Sequence, residues 1–372
     1  MHRALFLSLL LFTAAATADS DTNFTSGRPS WSTAAEEPDL ASPDDSGPDG
    51  GFSSLDSMLQ WAIGNSDPEK LKESAQAQQR LSPNDIQKRQ MEIKELMEKM
   101  RMPSDAELMK VAISDLNNVS TSLEDRHRAL QELLELVESI DNANDLNKLG
   151  GLSVVTQELN HSDPSIRAVA AWVLGKASQN NPIVQQQVLE LGVLSRLIIM
   201  VKSDSTEEAN KALYTVSALI RNNLASQALF YAEAGGSMLQ DILRNASVDI
   251  RLRRKAVLLL ADLAEYQLEH VDKEEPSFFS DQDLLKSVVD LTKSTELDLQ
   301  EKALVAIKNL LQLRTTEARV FKDFCALGDA LSRMRQLLHD LMADEYQKDY
   351  ATDVESLRIE VEHIFHRKLV KQ

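Results

Sequence analysis

The chain has 372 residues and a formal net charge of −18, which argues against nucleic acid or an anionic membrane surface as its main partner. Aromatics make up 5% of it and Leu, Ala, Glu, Lys and Gln dominate, with no β-branched alternation, so the composition predicts a helical protein. The single Cys325 excludes an intramolecular disulfide, and its apolar neighbours in VFKDFCALG predict a buried, inert thiol.

In chain order, residues 1–18 come first. His2 and Arg3 precede the apolar run ALFLSLLLF, and small residues ending in Ala16-Thr17-Ala18 follow, the layout of a secretory signal peptide. The run is about nine residues, too short for a span of about 20, so a soluble protein of the secretory pathway is expected. Residues 19–51 hold four of the ten prolines and one basic residue, and such an acidic arm is expected to be disordered. From Phe52 helical spacing begins. Leu55, Met58, Leu59, Ala62 and Ile63 lie on one face, and SPNDIQKRQMEIKELMEKM and MPSDAELMKVAISDL predict two more N-terminal helices, the former with Pro83 in its first turn.

A repeat takes over from residue 104 to 327. The pattern Ala-x-x-x-(Leu/Val/Ile)-x-x-(Leu/Ala) falls on Ala129, Ala170, Ala212, Ala256 and Ala303, which are 41, 42, 44 and 47 residues apart. About twenty residues before three of these alanines stands a glycine, Gly150, Gly192 or Gly235. Each unit reads as a short helix, Gly, a second helix, a polar turn and a longer third helix. A period of 40–47 residues with three helices predicts an all-α armadillo-repeat solenoid, because no single unit can bury its own apolar stripe. Residues 328–372, opening near Gly328 and ending in an amphipathic helix through Val354, Leu357, Val361 and Ile364, are expected to cap it.

Chemical motifs are missing: no phosphate-binding glycine loop, no H-E-x-x-H and no paired C-x-x-C. His363 and His366, near Glu362, read as a solvated helix end rather than a metal site, and no enzyme and no cofactor are expected. What remains is shape. In an armadillo array the third helices line the concave face, and the residue two after the patterned alanine points into it. That column is Trp172, Tyr214, Leu258 and Val305, with Gln131 in the first, partial unit. One turn on come Lys176, Ala218, Asp262 and Asn309, and one residue before the alanine lie Lys211, Lys255 and Lys302. Aromatics and lysines in one groove predict a protein-binding site.

Two phrases carry a resemblance. LDSMLQWAIGNSDP (55–68) is similar to the N-terminal helix of the armadillo-type nucleotide exchange factors of heat-shock-protein-70 chaperones, and AAWVLGKASQNNPIVQQQVLELGVL (170–194) resembles their best-marked repeat. The similarity runs from about residue 52 to the C-terminus, and the segment around Pro83 resembles plant members. The resemblance implies that the groove grips lobe II of the chaperone's ATPase domain and disfavours the closed, ADP-holding cleft. ADP then leaves, ATP enters and the client is released.

With a signal peptide, the implied partner is the luminal chaperone BiP and the implied location the endoplasmic reticulum, with the protein a monomer. The C-terminal KLVKQ is not a KDEL-type retrieval signal, so residence there follows from the partner alone. The residues leave a second reading beside this one, a secretory-pathway armadillo adaptor or scaffold without exchange activity. Four sequons, at Asn23, Asn118, Asn160 and Asn245, are candidate glycosylation sites. The last three lie 10 or 11 residues before a patterned alanine, so they are expected in the same turn between second and third helices.

Overall fold

The computed structural model describes residues 82–100 and 102–371, together with Asp67, Glu69 and Lys72. The expected signal peptide, the acidic arm and the helix around Leu55–Ile63 lie outside the described residues. The chain divides into two units, Met1–Glu95 and Leu96–Gln372. Helix α1 (Pro83–Met100) begins at Pro83, as the sequence predicts, and carries exposed Met91, Ile93, Leu96 and Met97.

Among the described residues every regular element is helical. The second unit, which takes in the end of α1, continues with α2 (Asp105–Asn117), whose start is fixed by a capping box in which the Ser104 amide donates to Glu107 Oε2 at 2.8 Å. After α3 (Leu123–Leu136) come three full triplets. The first is α4 (Ile140–Lys148), α5 (Gly151–Glu158) and α6 (Pro164–Ser178). The second is α7 (Pro182–Glu190), α8 (Leu194–Met200) and α9 (Thr206–Ile220). The third is α10 (Leu224–Ala232), α11 (Gly235–Arg244) and α12 (Ile250–Glu269). A reduced unit, α13 (Gln282–Asp290) and α14 (Leu297–Gln312), precedes α15 (Leu327–Leu341) and α16 (Lys348–Lys371). Third helices pack in succession, α3 on α6, α6 on α9, α9 on α12, α12 on α14 and α14 on α16.

The five patterned alanines are at most 2% exposed, which lets neighbouring third helices approach. At Gly175 α6 and α9 come close: a Cβ there would stand 2.8 Å from both Thr215 Oγ1 and the Tyr214 ring. There Thr215 Oγ1 donates to the Ala171 carbonyl of the preceding repeat at 2.6 Å.

The repeated Asn pairs also have a physical reason. Asn180 and Asn222 take the left-handed backbone, with φ of 53° and 56°, which Asn tolerates better than most residues. Asn181 and Asn223 then cap the next helix by accepting from the Val184 and Ser226 amides. Two identical residues thus do two different jobs in each turn.

The glycine register shifts from the sequence reading. Gly150 and Gly192 are left-handed, with φ of 76° and 72°, but in the next unit that place belongs to Ala234 (φ 62°) and in the last to Ala326 (φ 54°). Gly235 instead opens α11, where a Cβ would fall 2.2 Å from the Phe230 ring, and Gly328 lies inside α15.

The 47-residue step to Ala303 arises because α12 runs on to Glu269, 13 residues past its alanine, where α9 stops 8 past its own; the fourth unit then has no α-helix in first position. A loop with one 3-10 turn, Ser277–Ser280, fills the place. Glu275 pins it by accepting from the Arg314 and Thr315 amides at 2.9 and 2.7 Å and from Thr315 Oγ1 at 2.6 Å.

The capping region keeps repeat geometry more closely than its sequence suggests. Ala351 is fully buried, yet Arg358, at a position the pattern reserves for an aliphatic, is 1% exposed and held by Glu355 and Glu362. Cys325 is buried, as expected, and burial pushes its thiol up to about 11. No single described helix is long and apolar enough to cross a membrane; α7 and α8 pass such a test only as a pair, bent by 87°.

Candidate binding face

The consecutive third helices α6, α9, α12 and α14 set one face of the second unit. Trp172, Tyr214, Leu258 and Val305, two after their alanines, are all partly exposed on it. Lys176, Lys211, Lys255, Asp262 and Lys302 are partly exposed too.

The geometry is most developed between α6 and α9. Lys211 Nζ stands 3.0 Å from the centroid of the Trp172 ring. The Tyr214 hydroxyl donates to Gln179 Oε1 at 2.9 Å, and Lys176 reaches back to Glu138 at 3.3 Å. Each contact joins one repeat to its neighbour, so these side chains are held in place by the stack itself.

Toward α12 and α14 the charges turn inward on one another. Lys302 pairs with Asp298, which also binds Arg254 Nε at 2.9 Å. Asp262 meets Arg221 Nη2 at 2.5 Å, but burial still pushes its carboxyl above the ordinary range. Glu265, one turn further along, is raised by burial and by the charges of Asp262 and Glu269, against the opposing effect of Lys308.

Asn309 corrects the expected column. Its side chain is 5% exposed and donates from Nδ2 to the Ala261 carbonyl at 3.1 Å, so it ties α14 to α12 beneath the surface. An Asn at a surface-facing position turned inward because a carbonyl of the preceding repeat lay within reach.

Sequence reasoning missed a further column, Gln179, Arg221 and Glu265, nine residues after the alanines at 170, 212 and 256. Carrying the same pattern one turn further would have found it. The sequons at Asn118, Asn160 and Asn245 are exposed, each directly after or close behind a second-position helix (α2, α5, α11). Asn118 Oδ1 accepts from the Ser120 amide at 3.0 Å and Asn245 Oδ1 from the Ser247 amide at 2.9 Å, while Asn23 lies outside the described residues. His363 and His366 are exposed, and no group of three or more metal-ligating side chains occurs among the described residues.

Stacked three-helix units with an open third-helix face define an armadillo solenoid. Solved structures agree: a designed armadillo repeat protein in complex with the peptide (KR)4 superposes with a TM-score of 0.54 over 69% of this chain and 99% of its own, at 17% identity. Family models then narrow the class. Residues 142–281 match the SIL1/FES1/HPBP1 C-terminal domain, and residues 55–146 match nucleotide exchange factor Fes1. The Hsp70 nucleotide exchange factor FES1 of Coccidioides immitis is 31% identical over 188 residues, 47% of this chain and 81% of that protein. Nucleotide exchange factor SIL1 of Rattus norvegicus is 34% identical over 44% of this chain, and that of Xenopus laevis 27% over 70%. The matched regions span 35% and 61% of those two SIL1 proteins. The chain belongs to the SIL1/FES1/HPBP1 family of nucleotide exchange factors.

Proposed function

We propose that this protein is a nucleotide exchange factor of a heat-shock protein 70 chaperone, and that its third-helix face seats the chaperone's ATPase domain. One observation carries the reading: the segment matching the family model contains the two repeats whose third helices bear Trp172, Lys211 and Tyr214. A rigid aromatic held against a lysine and locked between repeats is what a central contact of a protein interface needs.

The mechanism is linkage. A partner that binds the nucleotide-free chaperone more tightly than the ADP-bound one weakens ADP binding by the same factor, usually about 1–3 kcal/mol. No bond in the nucleotide is broken by this chain in that scheme, so it acts without catalytic residues or a cofactor of its own.

Within this reading the chaperone is luminal BiP and the site of action the endoplasmic reticulum. The apolar run at residues 4–12 and the likeness to SIL1 proteins support it. Stopped-flow release of labelled ADP from BiP and from a cytosolic heat-shock protein 70 tests both levels. Acceleration with BiP is expected; acceleration with the cytosolic chaperone alone would move the protein out of the lumen, and none with either would end the exchange-factor reading.

A further inference from the structure

We propose that Lys211 is an internal plug: it fills the cation seat on the Trp172 ring and so keeps Lys- and Arg-rich chains out of the third-helix face. Trp172 lies on α6 and Lys211 on α9, so each repeat supplies half of the arrangement. The ammonium stands 3.0 Å from the ring centroid, well inside the roughly 6 Å within which an indole face holds a cation. Any peptide lysine or arginine that would use this face of the ring meets a charge of its own sign already in place.

The filter answers a problem set by the chain's composition. A net charge of −18 draws cationic segments to the surface without regard to their sequence. An uncovered indole on an open helical face would turn such encounters into binding. The stack makes the plug durable, because Gly175 admits Tyr214 and Thr215 of α9 hard against α6 and Thr215 Oγ1 bonds to the Ala171 carbonyl. Lys211 therefore stays in register with Trp172. Further along the column Leu258 and Val305 replace the aromatics, so the need for such a plug ends with the aromatic repeats.

The test is titration of the full-length mature chain with a labelled (Lys-Arg)4 peptide, read by fluorescence anisotropy at 150 mM salt. Lys211→Ala should bind the peptide about tenfold more tightly than wild type. Lys211→Arg, which keeps a cation over the ring, should match wild type. In the Trp172→Ala/Lys211→Ala double variant the gain should vanish. Lys202→Ala removes one positive charge elsewhere and serves as the charge control. Equal affinity of wild type and Lys211→Ala overturns the proposal. So does a gain that Lys202→Ala reproduces or that survives loss of Trp172, since either traces it to net charge alone. Circular-dichroism melts confirm that each variant is folded. The outcome does not depend on which chaperone the protein serves.

Discussion

Arg167 of α6 and Glu208 of α9 meet in a two-bonded fork, Nε to Oε1 at 2.6 Å and Nη2 to Oε2 at 2.7 Å. Arg167 Nη1 also reaches back to the His161 and Ser162 carbonyls at 2.8 Å each, and Ser203 Oγ donates to the carboxylate at 2.6 Å. The guanidinium thus closes its own turn while clasping the next repeat. Arg126 acts alike one repeat earlier, bonding to the Leu116 and Asn118 carbonyls and to Glu158.

Removing half of that fork should be worse than removing all of it. Arg167→Met leaves Glu208, whose side chain is 2% exposed, without its counter-charge and should lower stability by about 3 kcal/mol. Arg167→Met/Glu208→Leu should recover much of the loss, read from urea midpoints. Burial pushes the Glu208 carboxyl up, but the bonds from Arg167 and Ser203 outweigh it and hold it below its ordinary 4.5. The fork's contribution is therefore present above that value and lost as pH falls through the depressed one. The double variant should lack this part of the acid sensitivity.

On the proposed binding face, Trp172→Ala should weaken chaperone binding by about 2 kcal/mol in calorimetry and, because the ring also packs against the core, lower melting by a few degrees, whereas Trp172→Phe should keep most of the melting temperature. Tyr214→Ala should lower melting by several degrees, because its ring packs on Gly175, whereas Tyr214→Phe keeps the ring and should melt near wild type. Glu in place of Lys211, Lys255 or Lys302 should slow association and reduce its salt dependence. No kinetic effect at any of the three would place the interface elsewhere.

The left-handed alanines are built-in strain. Ala234→Gly and Ala326→Gly should each stabilise the protein by about 1 kcal/mol in thermal or urea unfolding, and Gly192→Ala should destabilise it by a similar amount. Nothing stands within 4 Å of a Cβ at Gly192, so backbone conformation alone accounts for the latter.

Lys368 donates to the Leu313 carbonyl at 2.6 Å and to Thr316 Oγ1 at 2.8 Å, fastening α16 to the end of α14, and burial lowers its amine from 10.5 to about 8. Between those two values the unfolded chain binds more protons than the folded one, so stability from this group rises with pH across the window. Below about pH 8 the full penalty of a buried charge applies. Urea midpoints of wild type relative to Lys368→Met should therefore improve from pH 8 to 10, by on the order of 1 kcal/mol given the partial exposure. A flat difference would mean that the amine is solvated.

At least one of Asn118, Asn160 and Asn245 should carry a glycan in protein taken from the secretory pathway, and its removal should leave chaperone affinity unchanged. Intact mass before and after endoglycosidase measures occupancy. A wholly unmodified chain would count against passage through the lumen, and a glycan that blocks binding would place the interface on that rim.

The five alanines, their spacing and the aromatic column were legible in the chain because packing between repeats imposes the same small residue at the same step each time. The Asn-Asn pairs and the phrase from Ala170 to Leu194 were legible for a related reason: turn and cap geometry recur only if the residues do. Other features followed no repeated residue. Ala326 takes a strained backbone where the glycine nearby at Gly328 is helical, since the register is set by how α15 packs. Ala351 begins a further buried stripe that the pattern conceals, because Arg358 and its two carboxylates stand where an aliphatic was expected. Asn309 turned inward to a carbonyl 48 positions away, and Lys211 turned onto a ring in the previous repeat. Local sequence determined the repeating unit, its caps and its spacing. Which polar side chains were drawn into the stack and which were left on its face was decided by tertiary structure, since their partners come from neighbouring repeats about forty residues away.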